Sequence, residues 1–132
     1  MNVNHRRNAR AVEVDGVATG GHYSPAVVAG GFVFVAGQTP RDAQRRIVGQ
    51  TIEEQTTAVL DNLSKVLAAA DATLDDVVKV TVYLADLGSF EKFNSVFAKY
   101  FSEFKPARTT VECGLPGIMV EIDAIAHVGN SS

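Results

Sequence analysis

Two charged residues in this chain stand where charge is costly. Arg108 lies one residue inside a predicted strand, Ala107–Cys113, with Thr110 and Glu112 on its own face at the two-residue strand period. Glu121 sits in the middle of Met119–Ile125, where the other residues are apolar apart from Asp123. A charge inside a buried strand is stable only if it is paired or solvated in a pocket. Two readings follow. The pair forms an Arg–Glu bridge across adjacent strands, or each member works on a ligand. In the second reading Arg108 is a bidentate anchor for a substrate carboxylate, which a planar guanidinium suits. Glu121 is then the nearby acid–base group.

Other chemistries find less support. No glycine-rich loop ends in Gly-Lys-Ser/Thr, and Gly16–Gly21 lacks both the lysine and a long preceding strand. His5, His22 and His127 are scattered, without the pairing that metal sites use. Cys113 alternates with Ala107, Thr109 and Val111, an apolar-facing series, and reads as a core thiol. Ser24 and Ser89 have no partnered histidine in a recognised arrangement, and Arg41, Arg45 and Arg46 read as a solvated loop.

The elements that must position Arg108 and Glu121 are legible from period and punctuation. Arg10–Val14 is a short alternating strand. Ala26–Ala29 and Phe32–Gly37 flank Gly30-Gly31, a pair that supplies positive φ and favours a two-residue hairpin. Residues 40–50 form a polar loop. Thr51 and Glu54 have the capping-box spacing, and Ile52, Thr56, Val59, Leu63, Val66, Leu67 and Ala70 follow on one helical stripe. Asp61 and Lys65 are spaced to support that helix from its solvent side. Val77–Leu84 is a strand with Val78, Val80, Val82 and Leu84 on one face and Val77, Lys79, Thr81 and Tyr83 on the other.

A second helix starts after Gly88-Ser89, with Phe90, Phe93, Phe97, Tyr100 and Phe101 as an aromatic stripe read as core. Pro106 ends it. Ala107–Cys113 and Ile118–His127, joined by Gly114-Leu115-Pro116-Gly117, are the last strands. The order β-β-β-α-β-α-β-β predicts an α+β fold, with both helices on one face of a mixed sheet. Several strands are apolar on both faces, so the far face needs a partner, most simply another copy of the chain.

The totals bound the function. The 132 residues, 46% hydrophobic and 20% charged, predict a single globular domain over 1–132, with residues 1–9 as a frayed polar tail. The apolar runs are too short to span a bilayer, and the basic N-terminus lacks the apolar stretch of a secretory signal. One cysteine makes no internal disulfide, and the cytoplasm is the expected location. A net charge of −3 argues against broad affinity for nucleic acid.

Several segments together resemble a known family. Lys105-Pro106-Ala107-Arg108-Thr109-Thr110-Val111-Glu112, Leu115-Pro116 and Val120-Glu121-Ile122-Asp123-Ala124-Ile125-Ala126 are similar to the C-terminal signature of the RidA/YjgF group. Gly21-His22-Tyr23-Ser24-Pro25-Ala26, Phe34-Val35-Ala36-Gly37-Gln38, and Asp86-Leu87 with Phe90 and Asn94 extend the match in order from about Gly21 to Ala126.

The resemblance implies a chorismate-mutase-like fold assembling as a homotrimeric barrel, with active sites between subunits and no metal or organic cofactor. It implies hydrolysis of small 2-enamine or 2-imino carboxylates to 2-keto acids and ammonia. By position, Arg108 matches the carboxylate-binding arginine, Glu121 the glutamate that orients water, and Tyr23 and Asn94 residues of the same cleft. Ala36, just before Gly37, replaces the usual serine there, and Thr110 replaces a cysteine. Both changes bear on substrate preference, and His22 stands where a proline is more usual. Two other roles go with the family: a non-catalytic carboxylate-binding regulator or chaperone-like trimer, and an endoribonuclease or translation inhibitor.

Overall fold

In the computed structural model the described residues are 5–6, by backbone alone, and 8–129. The strands are β1 (His5–Arg6), β2 (Ala9–Val12), β3 (Ala26–Ala29), β4 (Phe32–Gln38), β5 (Val77–Leu84), β6 (Ala107–Glu112) and β7 (Val120–His127). The helices are α1 (Ile52–Ala69), between β4 and β5, and α2 (Phe90–Tyr100), between β5 and β6. One mixed sheet runs β1-β2-β3-β4-β7-β5-β6. All neighbours are antiparallel except β5 and β6, which are parallel. The architecture is α+β, as the order of patterns predicts.

Local chemistry accounts for the main elements. Gly30 and Gly31 turn β3 into β4 with φ of 57° and 81°, and Ala29 pairs with Phe32 across them. Such a turn needs positive φ at both central residues. The Thr51–Glu54 capping box forms: Glu54 N–H donates to Thr51 Oγ1 at 3.1 Å, and Thr51 N–H to Glu54 Oε1 at 3.3 Å. The predicted α1 stripe is buried along its length, joined by Leu60 and Gln55. Gln55 ties the start of α1 to the β6–β7 connection, its Oε1 accepting from Met119 N–H at 2.8 Å. Both helices share one core with Val33, Val35, Val80, Val82, Leu84, Val120 and Ile122 of the sheet.

Five expectations are corrected. The segment predicted as a tail contributes β1, where His5 pairs with Arg10 and Arg6 with Ala9; residues 1–4 and 7 lie outside those described. A bulge between Val77 and Lys79 buries Val77 completely and leaves Val78 38% exposed, reversing their assignment to faces. An extra residue shifts the alternation without breaking the strand. Asp61 does not pair with Lys65; its Oδ1 accepts from Tyr100 OH of α2 at 2.7 Å. The arginine loop is partly built in: Arg45 Nη1 donates to Ala18 O at 3.2 Å, and Arg46 pairs with Asp42 at 3.0 Å. Cys113 is partly exposed, and Ala107, Thr109 and Val111 before it are exposed on the face away from the helices.

Candidate active site

Arg108 extends from β6 toward α2. Its guanidinium carbon lies 4.8 Å from the Phe97 ring centroid, 5.3 Å from Phe90 and 5.7 Å from Phe93. Its Nη1 donates to Asn94 Oδ1 at 2.8 Å. All four partners come from one helix at positions i, i+3, i+4 and i+7, a single stripe. Burial lowers the guanidinium pKa from its usual value, but arginine keeps its charge across the working pH range. Arg108 has no ion pair among the described residues. It lines an open cleft of about 660 Å³ with Asn94, Phe97, Ala98, Lys105 and Pro106. Thr110 lies on the same face of β6, half-buried.

Glu121 points the other way. Val120 and Ile122 on either side of it are fully buried beneath the helices, so its side chain projects from the open face of the sheet. The pairing also separates it from Arg108. Arg108 is in line with Val80 and Ala124, whereas Glu121 is in line with Tyr83. Strand β5 lies between β6 and β7, so no Arg–Glu bridge across adjacent strands forms. Among the described residues the Glu121 carboxylate has no hydrogen bond or ion pair. Its pKa is raised, first by burial and then by the charge of Asp123. Asp123 itself accepts from Tyr83 OH at 2.9 Å.

A bulge places Glu121. Val35 pairs with Ala124 and Gln38 with Ile122, so Ala36 and Gly37 together oppose Asp123 alone. A Cβ on Gly37 would overlap Glu121 Oε2. Only glycine lets the carboxylate lie against this backbone. Tyr23, half-exposed, accepts from Gly20 N–H at 3.0 Å, and with Gly37 lines a cavity of about 20 Å³, room for one water. The predicted site residues thus fall into two sets. Arg108, Asn94 and Thr110 are on the helix side; Glu121 and Gly37 are on the open side, with Ala36 in the bulge and Tyr23 nearby. Among the described residues no group of three His, Cys, Asp or Glu could hold a metal.

The aromatic backing of Arg108 is not expected from the sequence, where helical spacing assigns the whole phenylalanine stripe to the core. The stripe is core at Phe93, Phe97 and Phe101, but Phe90, Phe93 and Phe97 also cradle a cation. The signal was available: Asn94 falls on the same stripe, a polar residue among rings.

Residues 13–128 match the family model for endoribonuclease L-PSP. The chain belongs to this family, the YjgF/RidA/RutC group. An RutC family protein of Pyrococcus horikoshii is 50% identical over 110 residues, covering 81% of this chain and 87% of that one. Among solved structures, YyfA of Yersinia pestis, described as a Rid family protein of unknown function, superposes with a TM-score of 0.86 at 35% identity. That match covers 91% of this chain and 99% of YyfA. TdcF from E. coli, solved with bound serine, matches with a TM-score of 0.81 at 31% identity over 89% of this chain and 98% of TdcF. The Rid fold is therefore shared along almost the whole chain. Among the described residues no helix is long and apolar enough to cross a membrane.

Proposed function

We propose that this Rid protein hydrolyses small 2-enamine or 2-imino carboxylates to 2-keto acids and ammonia, at sites shared between subunits of a homotrimer. The observation that carries this reading is the state of Arg108: a half-buried guanidinium held by Asn94 and three rings, with no carboxylate among the described residues to neutralise it. Such a group is built to receive an anion from outside. The serine in the TdcF structure supports a ligand of amino-acid size and charge.

Arg108 holds the substrate carboxylate and Glu121 accepts a proton from the water that attacks the C=N carbon, then helps protonate the departing ammonia. Within one chain these two groups face opposite sides of the sheet, so the site needs the Glu121 face of one subunit beside the Arg108 edge of another. Exposed apolar residues on the open face, Phe32, Phe34 and Val111, give that face reason to be covered. Tyr23, Asn94, Thr110, Ala36 and Gly37 shape the cleft and set substrate preference. We place the protein in the cytoplasm, where its single Cys113 stays reduced.

The test is a coupled assay. A pyridoxal-phosphate dehydratase generates 2-aminoacrylate from serine or 2-aminocrotonate from threonine, and keto-acid formation is followed with and without this protein. Acceleration that Arg108→Ala abolishes is the expected result. No acceleration by the folded wild-type oligomer on either substrate would overturn the reading in favour of carboxylate binding without turnover. The family name also points to RNA cleavage, but the net charge of −3 opposes it, and the same preparation should leave single-stranded RNA intact.

A further inference from the structure

We propose that Phe90 and Phe97 are positioning residues for Arg108: their rings cover the face of its guanidinium, fix its plane and leave its Nε–Nη2 edge free to take a carboxylate. The inference rests on the reading of Arg108 as the carboxylate anchor and adds what makes that anchor rigid. Phe97 and Phe90 lie closest, at 4.8 and 5.3 Å from the guanidinium carbon. The rings are themselves fixed. Phe90 and Phe93 centroids are 6.4 Å apart, Phe93 and Phe97 5.5 Å, and Phe97 stacks on Phe101 at 4.5 Å, with Phe93 fully buried.

Asn94 engages Nη1. That leaves the side-on pair of donors, Nε–H and Nη2–H, whose fork matches the two oxygens of a carboxylate. Aromatic faces attract a cation without using its N–H groups, so they orient the guanidinium and do not compete for the ligand. Holding a long side chain in its bound orientation also removes ordering cost from binding. A purely structural Phe90 would contribute none of this.

Phe90 is half-buried, so Phe90→Leu is the variant of choice, with volume-matched Phe90→Met as the second and Phe90→Tyr as the conservative rescue. Pyruvate, with pyruvamide as its uncharged analogue, is titrated calorimetrically into the folded oligomer. KM and kcat are measured in the coupled assay. Loss of one ring is expected to weaken pyruvate binding and raise KM by about 3- to 10-fold, with kcat and pyruvamide binding unchanged. Phe90→Tyr should restore both. Wild-type pyruvate affinity in the Leu and Met variants, or equal weakening for pyruvamide, would overturn the proposal. Arg108→Ala separates the levels: if it binds pyruvate as wild type does, the anchor reading itself fails. If it loses pyruvate while Phe90→Leu does not, only the role of the rings fails.

Discussion

The two faces of one sheet hold their charged residues by opposite means. On the helix-covered face Arg108 is backed by Phe90, Phe93 and Phe97 and carries one neutral hydrogen bond, from Nη1 to Asn94. On the open face Glu121 lies against bare backbone at Gly37, with Asp123 beside it and no hydrogen bond among the described residues. A guanidinium is weakly hydrated and stays charged, so an apolar cradle makes it a fixed anchor. A carboxylate in a half-buried acidic setting moves toward protonation, so the same partial burial makes Glu121 a group that can exchange protons. One face fixes a charge and the other makes a charge negotiable.

The largest effects should come from removing either half. Glu121→Gln is expected to keep pyruvate binding and lower kcat by about 10² to 10⁴. An unchanged kcat would end its assignment as acid–base group. Arg108→Ala should lower kcat/KM by about 10² to 10³, the loss expected when a buried, hydrogen-bonded charge pair is truncated. The contrast is sharpest when these two variants are co-expressed. Because a single chain separates Arg108 from Glu121, mixed oligomers should regain activity that neither variant has alone. If the mixed preparation stays inactive, the two groups do not meet across an interface.

Gly37→Ala tests the open face with the smallest chemical change. The added methyl displaces the Glu121 carboxyl, and a misplacement of that size is expected to lower kcat by about 10- to 100-fold. The thermal midpoint should change little, since the clash is with the end of a flexible side chain. A wild-type rate would show that the position of Glu121 is not critical.

Smaller still is the effect of Asp123→Asn. Burial, the larger cause of the raised Glu121 pKa, remains, while the charge of Asp123 is removed. The acid limb of the rate–pH profile should therefore move to lower pH, because Glu121 then ionises more readily. Stability carries a matching sign. A carboxyl with a raised folded-state pKa binds protons more tightly folded than unfolded, so stability falls as pH rises between the two values. Glu121→Gln should thus raise the thermal midpoint at neutral pH and lose that advantage in acid. A fixed acid limb in Asp123→Asn would point to another titrating group.

Much of this could be read from particular residues. The Gly30-Gly31 hairpin, the Thr51–Glu54 box and the α1 stripe depend on neighbours within a few positions, and each forms as its spacing predicts. The charges at 108 and 121 were visible as anomalies because apolar strands surround them. At two points the local pattern is overridden, once by an insertion and once by a distant partner. The Val77–Lys79 bulge inverted a face, and Tyr100, 39 positions away, claimed Asp61.

Local period, turn chemistry and the cost of burying charge are enough to specify both helices, every strand after β1, the α+β class and the identity of the two charged residues. Strand order, by contrast, emerges only when the chain packs. By inserting β5 between β6 and β7 and presenting alternate residues to opposite faces, the packed sheet separates Arg108 from Glu121. Pairing between strands distant in sequence leaves no local signature, and neither did the bulge that lays Gly37 beneath a carboxylate.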